Sequence, residues 1–154
     1  MTTIVANREC MAADRFVTYT PSYNGDCKIW VARASIWGAA GPTWKGLAFK
    51  AWTLGKGKRP EFDGGEDGEE ENEVKLEVLQ LSEDGLFLWV NGDLPDPVSE
   101  PFYSIGSGAG YAIGALSMQA SLEQSIEVAA KWDSGTRLPI DMIALADIRK
   151  KRKR

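Results

Sequence analysis

The sequence contains no histidine. That absence removes Ser-His-Asp and Cys-His catalysis, histidine-ligated zinc and any histidine general base in one step. Cysteine is nearly missing too. Cys10 and Cys27 are the only two, too few for a disulfide framework, and both are read as small core residues rather than reactive thiols. With no charged and apolar signal region ahead of the first strand, a reducing cytosol is the expected compartment. No apolar run approaches the ~20 residues needed to span a bilayer, so no membrane association is expected. The Gly-Lys-Ser/Thr of a phosphate-binding loop is also absent. The one glycine-rich stretch, Gly106-Ser107-Gly108-Ala109-Gly110, lacks the βαβ setting and downstream acid of a dinucleotide fold. It is read as close packing of a helix on a sheet. Neither a metal nor an organic cofactor is expected.

A chain with these gaps must take any catalytic base from lysine, a carboxylate, tyrosine or an α-amine. The α-amine titrates at roughly 7.7–8.0 and could serve near neutrality with little tuning. Met1-Thr2-Thr3-Ile4-Val5-Ala6 reads as a buried strand that begins almost without preamble. Loss of Met1 would leave Thr2 with a hydroxyl and an α-amine on one residue, a self-contained nucleophile and base. An N-terminal-threonine hydrolase, acting on peptides, is the leading expectation.

The 154 residues suit one domain with a single substantial core, taken here as 1–148 with a basic tail at 149–154. Thr2 to Asn7 and Cys10 to Ala13 are strands apolar on both faces, which points to a sheet covered on both sides. Phe16 to Thr20 is β-rich, and Lys28–Ala34 with Ser35–Ala39 should form a hairpin around Arg33. Trp44, Leu47, Ala48, Ala51 and Trp52 recur at helical spacing after Gly41-Pro42, predicting a helix over 42–54. Gly55 to Glu73 is glycine-rich and acidic, and reads as a mobile surface loop. Two strands meeting at Ser82–Gly85 come next, and after them Phe102–Ile105. A small, apolar helix over 111–118 follows. Ser121 with Gln124 makes a capping box for a further helix, and Ile140–Ala146 is a last strand. The order suggests two stacked sheets with helices outside, an α+β sandwich.

The net charge of −4 hides segregation: an acidic run fills Glu61 to Glu73, and Arg149 to Arg154 is wholly basic. A short basic end is ordinarily a solvated terminus, so nucleic acid is not expected as a partner. Asp14 and Lys28 each sit where a strand meets a turn. They are either ordinary surface charges, or a carboxylate holding a desolvated ammonium that tunes the threonine hydroxyl.

Thr2-Thr3-Ile4-Val5, Met11-Ala12-Ala13-Asp14-Arg15, Lys28-Ile29, Gly38-Ala39-Ala40-Gly41 and Ile105-Gly106-Ser107-Gly108 with Tyr111-Ala112 occur in the order and rough spacing of proteasome β-type subunits. The chain also resembles the bacterial HslV peptidase and short proteasome-like proteins of bacteriophages and bacteria. That resemblance implies a four-layer αββα N-terminal-nucleophile hydrolase of bacterial or phage-infected cytoplasm. It makes Thr2 the nucleophile, Asp14 the acid that orients Lys28, and Lys28 the cation beside the threonine oxygen. Ser107 would hydrogen-bond near the α-amine, the Gly41 N–H would hold the oxyanion, and Ala39 would line the substrate pocket. It further implies peptide or unfolded-protein substrates, a ring-shaped homo-oligomer and an ATPase unfoldase as partner.

One corner departs from the pattern, which has an aspartate three residues before a Ser-Gly. Ser134-Gly135 is present, but Lys131 stands three residues ahead, and the acid at hand is Asp133. Asp133 and Ser134 are therefore supporting candidates. A rival expectation is a catalytically inactive assembly or interaction protein that uses its acidic loop and basic tail as working surfaces.

Overall fold

In a computed structural model that describes residues 2–15, 28–62 and 74–152, the chain forms two antiparallel sheets and four helices. Thr3–Asn7 (β1) and Cys10–Asp14 (β2) turn back on each other at Asn7, whose side chain accepts from the N–H groups of Glu9 and Cys10. Ile29–Ala32 (β3) and Ser35–Ala40 (β4) form the expected hairpin. Its turn residues, Arg33 and Ala34, both take positive φ, 50° and 59°, as a two-residue turn that follows the strand twist requires. Arg33 offsets that strain by donating to the carbonyls of Thr53 and Trp52 at 3.1 and 2.8 Å.

Thr43–Thr53 (α1) follows, then Glu77–Ser82 (β5), Gly85–Val90 (β6) and the two-residue Asp96–Pro97 (β7). Phe102–Gly106 (β8) leads into Ala109–Ser117 (α2) and Leu122–Trp132 (α3), and Ile140–Ala144 (β9) into Leu145–Arg152 (α4). One sheet runs β8-β1-β2-β9 and the other β3-β4-β5-β6-β7. The predicted capping box is formed: Ser121 and Gln124 bond each other's backbone at the start of α3.

Strand parity explains how three cores arise. Ile4, Ala6, Met11 and Ala13 point to one side of the first sheet, where they meet Ile36, Leu79 and Leu81 of the second. Val5 and Ala12 point to the other side and meet Ala112, Leu116, Leu122 and Ile126 of α2 and α3. The outer face of the second sheet carries an aromatic core of Trp30, Trp37, Phe49 and Trp89 under α1. Strands β1 and β2 are apolar on both faces because both of their faces are covered.

Several expectations need correction. The buried stripe of α1 is Lys45, Phe49 and Thr53, whereas Trp44 and Leu47 are exposed. The apolar face marked by Trp44, Leu47 and Ala51 is turned away from the sheet, so periodicity did not identify the buried face. The stretch read as strand end and basic tail becomes helix from Leu145 onward. There Leu145 and Ile148, one turn apart, enter the core between the sheets. Residues 55–62 of the acidic loop make defined contacts: Arg59 donates to the Gly92 and Asp93 carbonyls, and Phe62 packs on the aromatic core. Residues 63–73 and the β-rich segment 16–20 lie outside the described residues, as does Cys27. Among the described residues, no helix is long and apolar enough to cross a membrane.

Phe49 is fully buried and meets Trp37, Trp52 and Trp89 at ring centroid distances of 5.8, 5.2 and 5.5 Å. Phe49→Ala should cost about 3–5 kcal/mol, the range for deleting a buried aromatic. Urea unfolding followed by tryptophan fluorescence measures this. A loss below about 1 kcal/mol would show that the cluster repacks.

Candidate active site

The first strand brings Thr2 and Thr3 to the open end of the space between the sheets. Both are buried, at 7% and 0% exposure. The partners that surround them come from four other parts of the chain. Asp14, at the end of β2, accepts the Thr3 N–H at 2.9 Å on Oδ1. The same oxygen accepts Lys28 Nζ at 2.8 Å, just ahead of β3. Oδ2 accepts the Arg137 N–H at 3.2 Å. Side-chain exposure of this ion pair is 0% for Asp14 and 8% for Lys28. Burial lowers the Lys28 pKa from its ordinary value, and the charge and hydrogen bond of Asp14 oppose that fall.

A second group approaches from the β8–α2 connection and the end of α3. The Thr2 N–H lies 3.3 Å from Ser107 Oγ, which itself donates to Asp133 Oδ2 at 2.8 Å. Thr136 Oγ1 donates to the same oxygen at 2.6 Å and also bonds Thr3 Oγ1. A carboxylate only accepts, so the directions are set: Thr2 gives to Ser107, Thr3 gives to Thr136, and both hydroxyls give to Asp133. Partial burial pushes the Asp133 carboxyl up, but the hydrogen bonds from Thr136 and Ser107 outweigh it and hold the group below the usual aspartate range.

Glycine makes this convergence sterically possible. A Cβ on Gly106, whose φ is +95°, would lie 2.0 Å from the Thr2 carbonyl oxygen. One on Gly108 would lie 2.1 Å from Thr3 Oγ1 and 2.7 Å from Thr136 Oγ1. The two glycines flanking Ser107 therefore let the connection run against the first strand. Gly41, at φ +135°, is held as tightly, since a Cβ there would meet the Lys75 carbonyl oxygen at 2.6 Å. Thr2, Gly41 and Ser107 line one open cavity of about 560 Å³ together with Ala40, Pro42, Val74 and Glu77.

Thr2, Asp14, Lys28, Ser107 and Asp133 are thus brought together, with Gly41 in the wall of the same cavity. Ser134 is exposed and takes no part in these bonds. The hydroxyl bonded to Asp133 is that of Thr136, three residues after the acid and two beyond Ser134. That Asp-x-x-Thr spacing was the signal that could have revealed Thr136. Ala39 does not line the cavity either: it is half-buried and packs on the aromatic core under α1, while its neighbour Ala40 faces the cavity. The Cys10 thiol is removed from the site. Burial raises its pKa, as do Glu9, Glu123 and Asp147, and it packs against the α2–α3 core. Among the described residues no cluster of His, Cys, Asp or Glu could hold a metal ion.

Asp14→Asn takes the carboxylate charge away from beside a buried ammonium and should cost about 3–5 kcal/mol. The sign of the pH dependence follows from the lowered Lys28 pKa. The folded state binds fewer protons than the unfolded between the folded and unfolded pKa values of Lys28, so stability rises with pH across that window. Asp14→Asn removes the group that opposes the fall, so the rise should begin at a lower pH. Denaturation midpoints measured from neutral pH to about 10 test this, and an unchanged onset would contradict the coupling.

No family model matches the chain, and no curated protein matches it. Solved structures do. The BPH protein of Thiobacillus denitrificans aligns with a TM-score of 0.69 at 19% identity, covering 93% of this chain and 96% of that one. BPH has also been solved in complex with epoxomicin. Eukaryotic HslV from Trypanosoma brucei gives 0.63 at 17% identity over 93% and 98% of the two chains. Anbu from Hyphomicrobium sp. strain MC1 gives 0.62 at 14% over 93% and 81%. At such identities the likeness is one of fold, and the chain has the fold of proteasome-like N-terminal-nucleophile hydrolases.

Proposed function

We propose that the protein is a threonine peptidase that cleaves peptide bonds through an acyl-enzyme on Thr2 once Met1 has been removed. The observation that carries the reading is the double anchoring of the first two threonines. Asp14 ties the Thr3 N–H to the Lys28 ammonium, and Ser107 ties the Thr2 nitrogen to Asp133. A nucleophile that uses its own amine as base needs that nitrogen held in a fixed place. We place the chain in a four-layer αββα arrangement with peptide or unfolded-protein substrates, working as a ring-shaped homo-oligomer with an ATPase unfoldase as its feeding partner.

In this mechanism the freed α-amine takes the proton of the Thr2 hydroxyl while the oxygen attacks the scissile carbonyl. Lys28, kept protonated by Asp14, stabilises the developing alkoxide. The Gly41 N–H receives the oxyanion, supplying a fixed dipole where charge appears. Collapse of the tetrahedral intermediate breaks the C–N bond, and the ammonium returns its proton to the leaving amine. Water, deprotonated by the same amine, then hydrolyses the ester. Ser107, with its own proton committed to Asp133, orients the amine by accepting from it.

Intact mass of the natively expressed protein should show the loss of Met1. Thr2→Ala should abolish hydrolysis of fluorogenic peptides and leave the unfolding midpoint within about 1 kcal/mol of the parent, as for a small change that removes no core group. Epoxomicin should add one adduct mass to the mature protein and none to Thr2→Ala. Undiminished turnover in Thr2→Ala would refute the mechanism, and retention of Met1 in the purified protein would favour an inactive assembly role.

A further inference from the structure

The cavity beside Thr2 contains a charge that the proposed hydrolysis does not use. Glu77 opens β5, paired at Cα with Ala40 on one side and Val90 on the other. Directly opposed residues in an antiparallel ladder share a face, and Ala40, Leu79 and Leu81 all belong to the core between the sheets. Glu77 therefore points between the sheets at their open end, where it lines the cavity together with Thr2. It is half-buried, and among the described residues its carboxylate takes no hydrogen bond or ion pair. The neighbouring wall of Ala40, Pro42 and Val74 is apolar. Lys75, the other charged residue of the wall, is exposed.

A carboxylate partly withdrawn from water at the side of an apolar cavity is under-solvated. It is best satisfied by a cation on a long aliphatic stem that can lie along the wall. Lysine and arginine side chains have this form. An acidic side chain would be repelled, and a short neutral one would leave the carboxylate without a partner. We propose that this cavity is a substrate subsite for a lysine or arginine flanking the scissile bond, with Glu77 as the residue that reads its charge. The proposal rests on the reading of Thr2 as the nucleophile.

The test uses one peptide series, identical except for Arg, Leu or Glu placed on either side of the cleaved bond. The mature protein should cleave the Arg member fastest. Glu77→Gln should lower kcat/KM for that member by roughly tenfold, as expected for loss of one charge-assisted bond, while the Leu member changes by less than about twofold. Glu77→Lys should move the preference to the Glu member. Fluorescence anisotropy of the same peptides on Thr2→Ala and on Thr2→Ala/Glu77→Gln reads the subsite without any chemistry. The double variant should bind the Arg peptide roughly tenfold more weakly and the Leu peptide equally well. Equal losses for all peptides, or no preference for Arg in either assay, would overturn the subsite. Glu77-dependent binding of the Arg peptide by a protein that neither cleaves nor takes up epoxomicin would instead refute the Thr2 mechanism and leave the subsite standing.

Discussion

The arrangement of the site depends on the buried Asp14 carboxylate. An ionised carboxylate taken out of water is strongly unfavourable unless donors replace the lost hydration. Here the donors come from β1 through the Thr3 N–H, from the entry to β3 through Lys28, and from the segment after α3 through the Arg137 N–H. Each donor belongs to a different stretch of chain, so satisfying the charge fixes those stretches relative to one another. The ion pair adds little net stability beyond what an apolar replacement could supply. Its contribution is geometric. It ties the start of β1 to the end of β2, and it opposes the fall that burial imposes on the Lys28 pKa.

Asp133 performs the complementary task from the far side. Its Oδ2 collects two hydroxyls, and through them the polar groups of Thr2 and Thr3. The glycines at 106 and 108 allow this, because any side chain there would occupy the space of the Thr2 carbonyl or the Thr3 hydroxyl. The glycine-rich stretch is thus a consequence of two backbones meeting at near-contact distance, and Ser107 stands between them as the one side chain with room to reach Thr2. The two carboxylates therefore divide the terminus between them. One neutralises a cation, and the other polarises hydroxyl relays.

Much of this was legible in the sequence, for physical reasons that differ from residue to residue. β1 and β2 were readable because β-branched and apolar residues occupy both parities, which is needed only when both faces are buried. The α3 start was readable because a capping box is a local hydrogen-bond requirement. Thr136 is not singled out by the sequence because the Ser134-Gly135 pair two residues earlier draws attention to itself, and only packing shows which hydroxyl faces Asp133. Ala39, expected in the substrate pocket, is turned toward α1 by strand parity, which gives the wall beside Thr2 to Ala40. The inner face of α1 was hidden because Trp44, Leu47 and Trp52 compete with Phe49 for burial. The sheet below selected the stripe containing Lys45. α4 was missed because two apolar residues one turn apart carry no periodic signal within a basic segment.

The missing histidines acquire a more definite meaning once the site is assembled. Lys28 is lowered by burial and supported by Asp14, and Asp133 is held low by hydroxyl donors. Asp133 is thereby arranged to keep its negative charge, and Asp14 opposes the loss of positive charge on Lys28. The proposed mechanism takes its proton acceptor from a third group. The nitrogen of Thr2 is already held by Ser107. As an amide it accepts no proton, and as a free amine it titrates near neutrality. In the proposed mechanism one peptide bond, between Met1 and Thr2, therefore controls the chemistry, and Ser107 and Asp133 already hold the nitrogen that its cleavage would free.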